Sequence, residues 1–334
     1  MNTVTKTQSQ SHRPALRLVK TNTNTLSRDE WLEVRKHGIG SSDVAAAVGL
    51  NLYKSQLELW MKNTGRDTDL PKPDPYDTTA PVYWGTLLEP IVAASYTQQT
   101  GRRVRKVNAV LQHPDKPWML ANIDREVVGA SGVQILECKT AGEFGSRLWK
   151  DGVPEYIQLQ VQHQLAVTGK HATDVAVVLC GQQLQVHRIQ RDEALITKLI
   201  ALQERFWQYV NSDTPPSVYG SDSAATALQY LYPRDTGEQL DFSQDSQMSA
   251  LFTGLEEARF QADKYSKLEE QYKQKIQQAM GVASKATFET GSVTWKRSKD
   301  STLLDMTWLL TVQPELLAQY SLPRSGSRRF LISA

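Results

Sequence analysis

Val133-Gln134-Ile135-Leu136-Glu137-Cys138-Lys139-Thr140 is the stretch on which the reading turns. Its apolar residues predict a strand over 132–139. Side chains alternate between the two faces of a strand, so Glu137 and Lys139 share one face while Cys138 points the other way, into a core. A carboxylate and an ammonium then stand side by side, with Asp124 on the strand before them. That set suits metal-assisted hydrolysis of a phosphodiester. Mg²⁺ takes oxygen ligands and keeps several waters, so a few carboxylates and a substrate phosphate complete its shell. A lysine beside it orients the attacking water. A lone Glu-x-Lys is most often a plain ion pair on a strand face, so the weight lies in what surrounds it.

Upstream, 84–100 reads as a helix that carries Glu89 and ends at Gly101, followed by strands over 103–112 and 118–128. Downstream, Pro154 precedes a helix over 155–168 that stops at Gly169 and carries Gln160, with Gln164 one turn further along the same face. Strands over 174–180 and 183–189 turn about Gly181. An amphipathic helix over 191–211 follows, closed by Pro215-Pro216. Nearer the N-terminus, Ser27-Arg28-Asp29-Glu30 has the form of a capping box opening a helix through Trp31, Leu32 and Arg35. Another helix starts at Ser41 or Ser42, an amphipathic segment covers 55–63, and 66–81, with four prolines, is a loop.

Residues 1–25, rich in Thr, Asn, Gln and Ser, are expected to be a flexible arm. The main domain is placed at 26–220 and a helical and hairpin appendage at 221–334. In the appendage, apolar residues recur at intervals of three or four over 246–280, giving a long helix or helical hairpin whose stripe is expected to pack on its own chain. A β-hairpin turns at Thr290-Gly291, and a helix over 302–320 is interrupted or bounded by Pro314.

At 334 residues, 40% apolar and 22% charged, the composition is that of an ordinary globular protein. The net charge of +2 decides nothing, because a nearly neutral total can hide a positive groove beside an acidic site. Two cysteines, Cys138 and Cys180, cannot build a disulfide framework or alone fill a Cys₄ zinc or iron–sulfur site, which points to a reducing cytoplasm. No apolar run reaches the roughly 20 residues of a membrane span, so no membrane partner is expected.

The order of helix Glu89, strand Asp124, strand Glu137-x-Lys139 and helix Gln160 resembles the core of the restriction-endonuclease-like PD-(D/E)XK nucleases. Six further matches narrow this: Ile39-Gly40-Ser41-Ser42-Asp43, Leu57-Glu58-Leu59-Trp60, Trp84-Gly85 with Glu89, Asn122-Ile123-Asp124, Glu137-Cys138-Lys139, and Tyr156-Ile157-Gln158-Leu159-Gln160-Val161-Gln162. Together, over 28–218, they resemble the phage-type alkaline exonucleases, the lambda-exonuclease-like or YqaJ-like recombinases.

The resemblance implies an α/β fold, a central mixed sheet flanked by helices. It implies Mg²⁺, with Mn²⁺ as a substitute, held by Asp124, Glu137 and the Cys138 carbonyl, with Glu89 supporting a second ion or its waters. Lys139 would position the nucleophilic water and Gln160 would orient water or phosphate. Arg35 and Ser42 match the family's pocket for a 5′ phosphate. The implied activity is 5′-to-3′ digestion of linear double-stranded DNA to mononucleotides in the bacterial host cytoplasm. The 3′ strand would pass to a single-strand annealing protein, and the assembly would be a homotrimeric ring. Ile123 stands where many such nucleases have proline, but the ligand is the carboxylate that follows.

Rival readings are a structure-specific endonuclease of the same superfamily and a non-catalytic DNA-binding scaffold. A Cas4-like enzyme would need more cysteines for its iron–sulfur cluster. Arg103 and Arg105, with Arg102 and Lys106, either line a DNA groove or form a solvated strand end. Trp31, Trp60 and Trp84 are read as core packing, and His113, His163, His171 and His187 have no ligand-like spacing.

Overall fold

The computed structural model describes residues 15–17, 27–322 and 326–332. The chain divides after Pro233 into two compact units.

The first unit is built on a five-stranded mixed sheet in the order β3-β6-β7-β8-β9. These strands are β3 (Arg103–Lys106), β6 (Arg125–Val128), β7 (Ile135–Ala141), β8 (Ala172–Leu179) and β9 (Gln183–Gln190). All neighbours are antiparallel except β7 and β8, which run parallel with Glu137 opposite Val175. A parallel pair needs a crossover, and α6 (Glu155–Thr168) supplies it. The mixed sheet flanked by helices is the fold class anticipated from the sequence.

The two faces of the sheet are covered by different helices. On one face α4 (Pro81–Thr100) lays Val92, Ala93 and Tyr96 against Leu136, Cys138 and Ala176. On the other, Ile157, Val161 and Leu165 of α6 pack on Ile135, Val175 and Val177. The alternation along β7 therefore sends Glu137 and Lys139 toward α6 and Cys138 toward α4. Both helices stop where expected, at Gly101 and Gly169, each in the left-handed conformation that glycine adopts without a Cβ clash.

A second sheet of four strands has the order β1-β4-β5-β2, from β1 (Leu16–Arg17), β2 (Ile39–Gly40), β4 (Leu111–Gln112) and β5 (Met119–Ala121). Two expectations are corrected here. The run 103–112 is two strands in different sheets, and so is 118–128. Alternation marks extended chain but not where it changes partners. At the crossing, Asn122 Nδ2 donates to the Ala109 carbonyl at 3.1 Å in place of a ladder bond. The second correction concerns the arm: Leu16 and Arg17 pair with Gln112 and Leu111. The rest of the expected arm, 1–14 and 18–25, lies outside the described residues.

The Ser27 capping box is formed, opening α1 (Arg28–Lys36). A 3₁₀ turn over Ser41–Asp43 leads into α2 (Val44–Ala47), and Ser55 caps α3 (Gln56–Asn63). These, with α7 (Glu193–Asn211), enclose a second core around Leu59, Trp60, Leu199 and Phe206. A short α5 (Glu143–Ser146) follows β7. The helix α8 (Asp222–Leu231) joins that core through Ala227, and Ser223 Oγ bonds Ser55 Oγ at 3.0 Å and Glu58 Oε2 at 2.5 Å. The first unit therefore runs past the boundary drawn at 220. Cys180 and Gly181, both at positive φ (50° and 73°), form the tight turn between β8 and β9.

The second unit holds α9 (Ser246–Met280), the hairpin β10 (Lys285–Phe288) and β11 (Gly291–Thr294), then α10 (Met306–Val312) and α11 (Glu315–Tyr320) with Pro314 between them. Within this unit the apolar stripe that was expected to pack on its own chain is largely uncovered, and Met280 is the one buried residue of α9. No helix among the described residues is long and apolar enough to cross a membrane.

Candidate active site

Pairing between β6 and β7 stops at Arg125 and Leu136, so β7 beyond Leu136 has an open edge on that side. A cleft of about 320 Å³ lies there, between this end of β7 and the first half of α4, and its walls include Glu89, Asp124, Glu137, Cys138 and Lys139. The Cys138 N–H donates to Asp124 Oδ2 at 2.8 Å. In an extended strand the N–H and C=O of one residue lie on the same edge, so the Cys138 carbonyl faces the same opening.

Glu137 is buried and fully engaged. Its Oε1 accepts from Lys139 Nζ at 2.5 Å and from Gln160 Nε2 at 2.6 Å, and its Oε2 accepts from Gln164 Nε2 at 2.8 Å. Lys139 Nζ also donates to Gln160 Oε1 at 3.2 Å. Gln160 and Gln164 sit one turn apart on α6, which explains why that helix is polar at several buried positions. The other two buried polar side chains of its middle turns also reach other elements: Gln162 Nε2 donates to the Gln190 carbonyl at 2.7 Å, and His163 Nε2 to the Leu120 carbonyl at 2.9 Å. Burial keeps the His163 imidazole neutral, holding its pKa down to about 4.

Burial, together with the negative charge of Glu137 beside it, pushes the Asp124 carboxyl up to about 7. Lys139 only partly offsets this. Lys139 itself is opposed by burial, but Glu137 and Asp124 outweigh that and raise its pKa, so it stays an ammonium. Two crowded carboxylates with one lysine are short of positive charge, and their donors are the hard oxygens that a divalent cation prefers. The residues present therefore fit a small oxygen-bound cation at Asp124, Glu137 and the Cys138 carbonyl. The fit has a limit: among the described residues no three His, Cys, Asp or Glu side chains group as a ready-made metal cage. Glu89 does not complete one. It lines the cleft, but its Oε1 accepts from Arg125 Nη1 and so already has a cation.

Arg35 and Ser42 are together, Nη2 to Oγ at 2.7 Å, around a residue to which the sequence reading gave no role. Asp43 is buried and takes Arg35 at 3.0 Å, Lys54 at 3.1 Å and Lys62 at 2.6 Å. Burial opposes its charge, but Lys62, Lys54 and Arg35 prevail and hold the carboxyl far below the usual range. Burial also brings Lys62 down to about 8. Three cations on one carboxylate leave an excess of positive charge at the mouth of the 3₁₀ turn, the right sign for a phosphate. Gly40 permits this packing, since a Cβ there would lie 2.7 Å from Arg35 Nη2. The cluster is tied to the cleft through Asn122, whose carbonyl accepts from Ser41 Oγ at 3.3 Å and Gln164 Nε2 at 2.9 Å. Lys54 lies in a turn whose N–H groups are held by Asn51 Oδ1, and Lys62 on a largely buried helix. Sequence reasoning missed Asp43 and Lys62 because nothing in their spacing links them.

The other expected residues fall elsewhere. Arg103 and Arg105 lie on β3 at the sheet edge and do not line the cleft; Arg105 pairs across the strands with Glu126 at 2.5 Å. Trp60 is core, its Nε1 donating to the Tyr209 carbonyl at 3.1 Å. Trp84 is not: it is 46% exposed on α4, which corrects the expectation of core packing. The side chain of Trp31 lies outside the described residues.

A mixed sheet that ends in a carboxylate and lysine cleft, with a cationic pocket tied to it, defines an α/β domain whose site sets clustered oxygen donors beside an excess of positive charge. Residues 30–171 match the model of the YqaJ-like viral recombinase domain, a stretch of somewhat under half of the chain. The uncharacterized protein YqaJ of Bacillus subtilis (strain 168) is 37% identical over 211 residues, 62% of this chain and 64% of that protein. The chain thus spans a little under two thirds of that relative. Among solved structures, an alkaline exonuclease (LHK-Exo) from Laribacter hongkongensis is 25% identical over 55% of this chain and 93% of its own, with a TM-score of 0.45. A phage-related exonuclease from Haemophilus somnus 129PT is 12% identical over 53% of this chain and 96% of its own, with a TM-score of 0.35.

Proposed function

We propose that this chain is a metal-dependent deoxyribonuclease that digests linear double-stranded DNA from a 5′ end. The observation that carries the reading is the meeting of Asp124, Glu137 and Lys139 in one cleft, with Gln160 bonded to Glu137 and Lys139 behind it. Asp124, Glu137 and the Cys138 carbonyl would hold Mg²⁺, with Mn²⁺ as a substitute, and Glu89, paired with Arg125, would support a second ion or its waters. When bound, the cation lowers the pKa of the attacking water and offsets charge on the phosphoryl oxygens.

The chain's own residues do the rest. Gln160 and Gln164 fix both oxygens of Glu137, so the carboxylate does not reorient as charge develops. Lys139 presents an ammonium beside it, to orient the water and stabilise negative charge. Arg35 and Ser42, with Lys54 and Lys62 behind them, receive the terminal 5′ phosphate, and a guanidinium fork suits a phosphate's oxygens. A site that grips an end releases mononucleotides and leaves a 3′ strand. The reading extends to transfer of that strand to a single-strand annealing protein, and to a ring of three copies around DNA.

The test sets linear duplexes with and without 5′ phosphates beside a closed circle, with Mg²⁺ and with chelator. Metal-dependent loss of the linear substrates, faster with the phosphate and sparing the circle, is the expected result. Cutting of the circle turns the reading to an endonuclease. Binding with no cleavage of any substrate turns it to a scaffold.

A further inference from the structure

The helix α9 carries an apolar seam that its own unit leaves open over most of its length; at the C-terminal end Ile276 and Ala279 face a cavity of about 420 Å³ whose far wall is Ala286 and Phe288 of the hairpin. Its residues at heptad position a are Met248, Leu255, Ala262, Glu269 and Ile276; those at d are Leu251, Ala258, Tyr265, Tyr272 and Ala279. The spacing of three and four is unbroken over the helix, and Glu269 is the one charged residue in it. None of these side chains is buried; Leu251 is 61% exposed, Tyr265 64% and Tyr272 56%. An a/d stripe with period 3.5 is the seam of a coiled coil, and here Phe252, Leu268 and Met280 widen it on its flanks at e and g.

We infer that α9 pairs antiparallel with α9 of a second copy of this chain, a copy that belongs to a second ring where three copies form one, since a two-fold pair cannot close within three. The seam is self-complementary in that direction only. Antiparallel helices set each a residue opposite a d residue, and one register uses the full seam: Met248 faces Ala279, Leu251 faces Ile276, Leu255 faces Tyr272, and Ala262 faces Tyr265. Three of these four layers set a larger side chain against a smaller one, which fills space evenly. The remaining layer sets Glu269 opposite Ala258, next to Arg259 of the second copy, so the one charge in the seam gains a counter-charge. A parallel pair would stack Tyr265 on Tyr265, leave Ala262 against Ala262, and drive Glu269 against Glu269. A seam along 35 residues, about 50 Å of helix, covers on the order of 800 Å² per copy, the size of a standard stable interface.

The full-length chain tests this by light scattering and by cross-linking, with the exposed Cys180 replaced by serine and the buried Cys138 kept. Leu255→Lys with Tyr272→Lys sets like charges against each other across the proposed register. It should halve the mass of the assembly at micromolar concentration. For cross-linking, one preparation carries Ala262→Cys and another Tyr265→Cys. A disulfide-linked pair should form on mild oxidation of the mixture and not from either preparation alone. Linkage of Ala262→Cys to itself overturns the antiparallel register. Equal masses for the parent and the double-lysine chain, with no linkage in the mixture, overturn the pairing altogether.

Discussion

At the scale of single residues, Asp43 and His163 do opposite things with burial. Asp43 keeps its charge because three cations surround it, so Asp43→Asn leaves Arg35, Lys54 and Lys62 facing one another. The expected loss is about 3 to 5 kcal/mol, the cost of breaking a buried pair, read as a fall in thermal midpoint. A drop of only a degree or two would mean the cluster is better solvated than its geometry indicates. His163 stays neutral, its pKa lowered from 6.5 to about 4. The unfolded chain takes up that proton as pH falls through 6.5, while the folded chain refuses it until about 4. Stability from this group is therefore level above pH 6.5 and is lost between 6.5 and 4, by on the order of 3 kcal/mol in all. His163→Gln should flatten the denaturant midpoint over that window. In the cleft, Lys139→Ala should lower cleavage about 100-fold or more while leaving DNA binding in a mobility-shift assay little changed.

At the scale of elements, what sequence revealed and what it hid divide by range. Glu137 and Lys139 were legible as neighbours because strand alternation is local, and Gln160 and Gln164 because they are one helical turn apart. The limits of α6 and α9 were legible from Pro154, Gly169 and the length of the apolar pattern. Pairing across elements was not. Arg125 taking Glu89, and Lys62 reaching Asp43, depend on how α4 and α3 dock, and no period records docking. The same holds for the strands that exchange sheets at Asn122. Gln164 tests how far α6 organises the cleft. Gln164→Leu keeps the volume and strips one donor from each of two acceptors, the Glu137 carboxylate and the Asn122 carbonyl. It should cost about 1 to 3 kcal/mol in denaturant unfolding and reduce cleavage severalfold, with affinity for DNA ends unchanged. Wild-type turnover in that variant would show that Gln160 alone fixes Glu137.

At the scale of the whole molecule, the division after Pro233 separates the residues of the cleft from those of the seam. The boundary drawn at 220 came from the proline pair at 215–216, which does end α7's run, but α8 returns to pack its Ala227 into the core. The residues that α8 buries are two alanines, Ala224 and Ala227, whose small side chains give little warning that the helix belongs to the domain before it. A chain ending at Pro233 should retain metal-dependent cleavage of linear duplex within a few fold. Its mass by light scattering should be less than that predicted from the shortened length alone, because the α9 seam is gone. Loss of cleavage in that chain, with its helical circular dichroism intact, would place part of the chemistry beyond residue 233.

The turn at Cys180-Gly181 bears on how the protein keeps on the bench. Two successive residues with positive φ make the tight hairpin link between β8 and β9, a conformation that asparagine accepts far more readily than cysteine. Cys180 is also exposed, so its thiol is open to air. Cys180→Asn should relax the backbone, end slow covalent dimer formation in storage without reductant, and leave a sample whose ageing can be followed on a non-reducing gel.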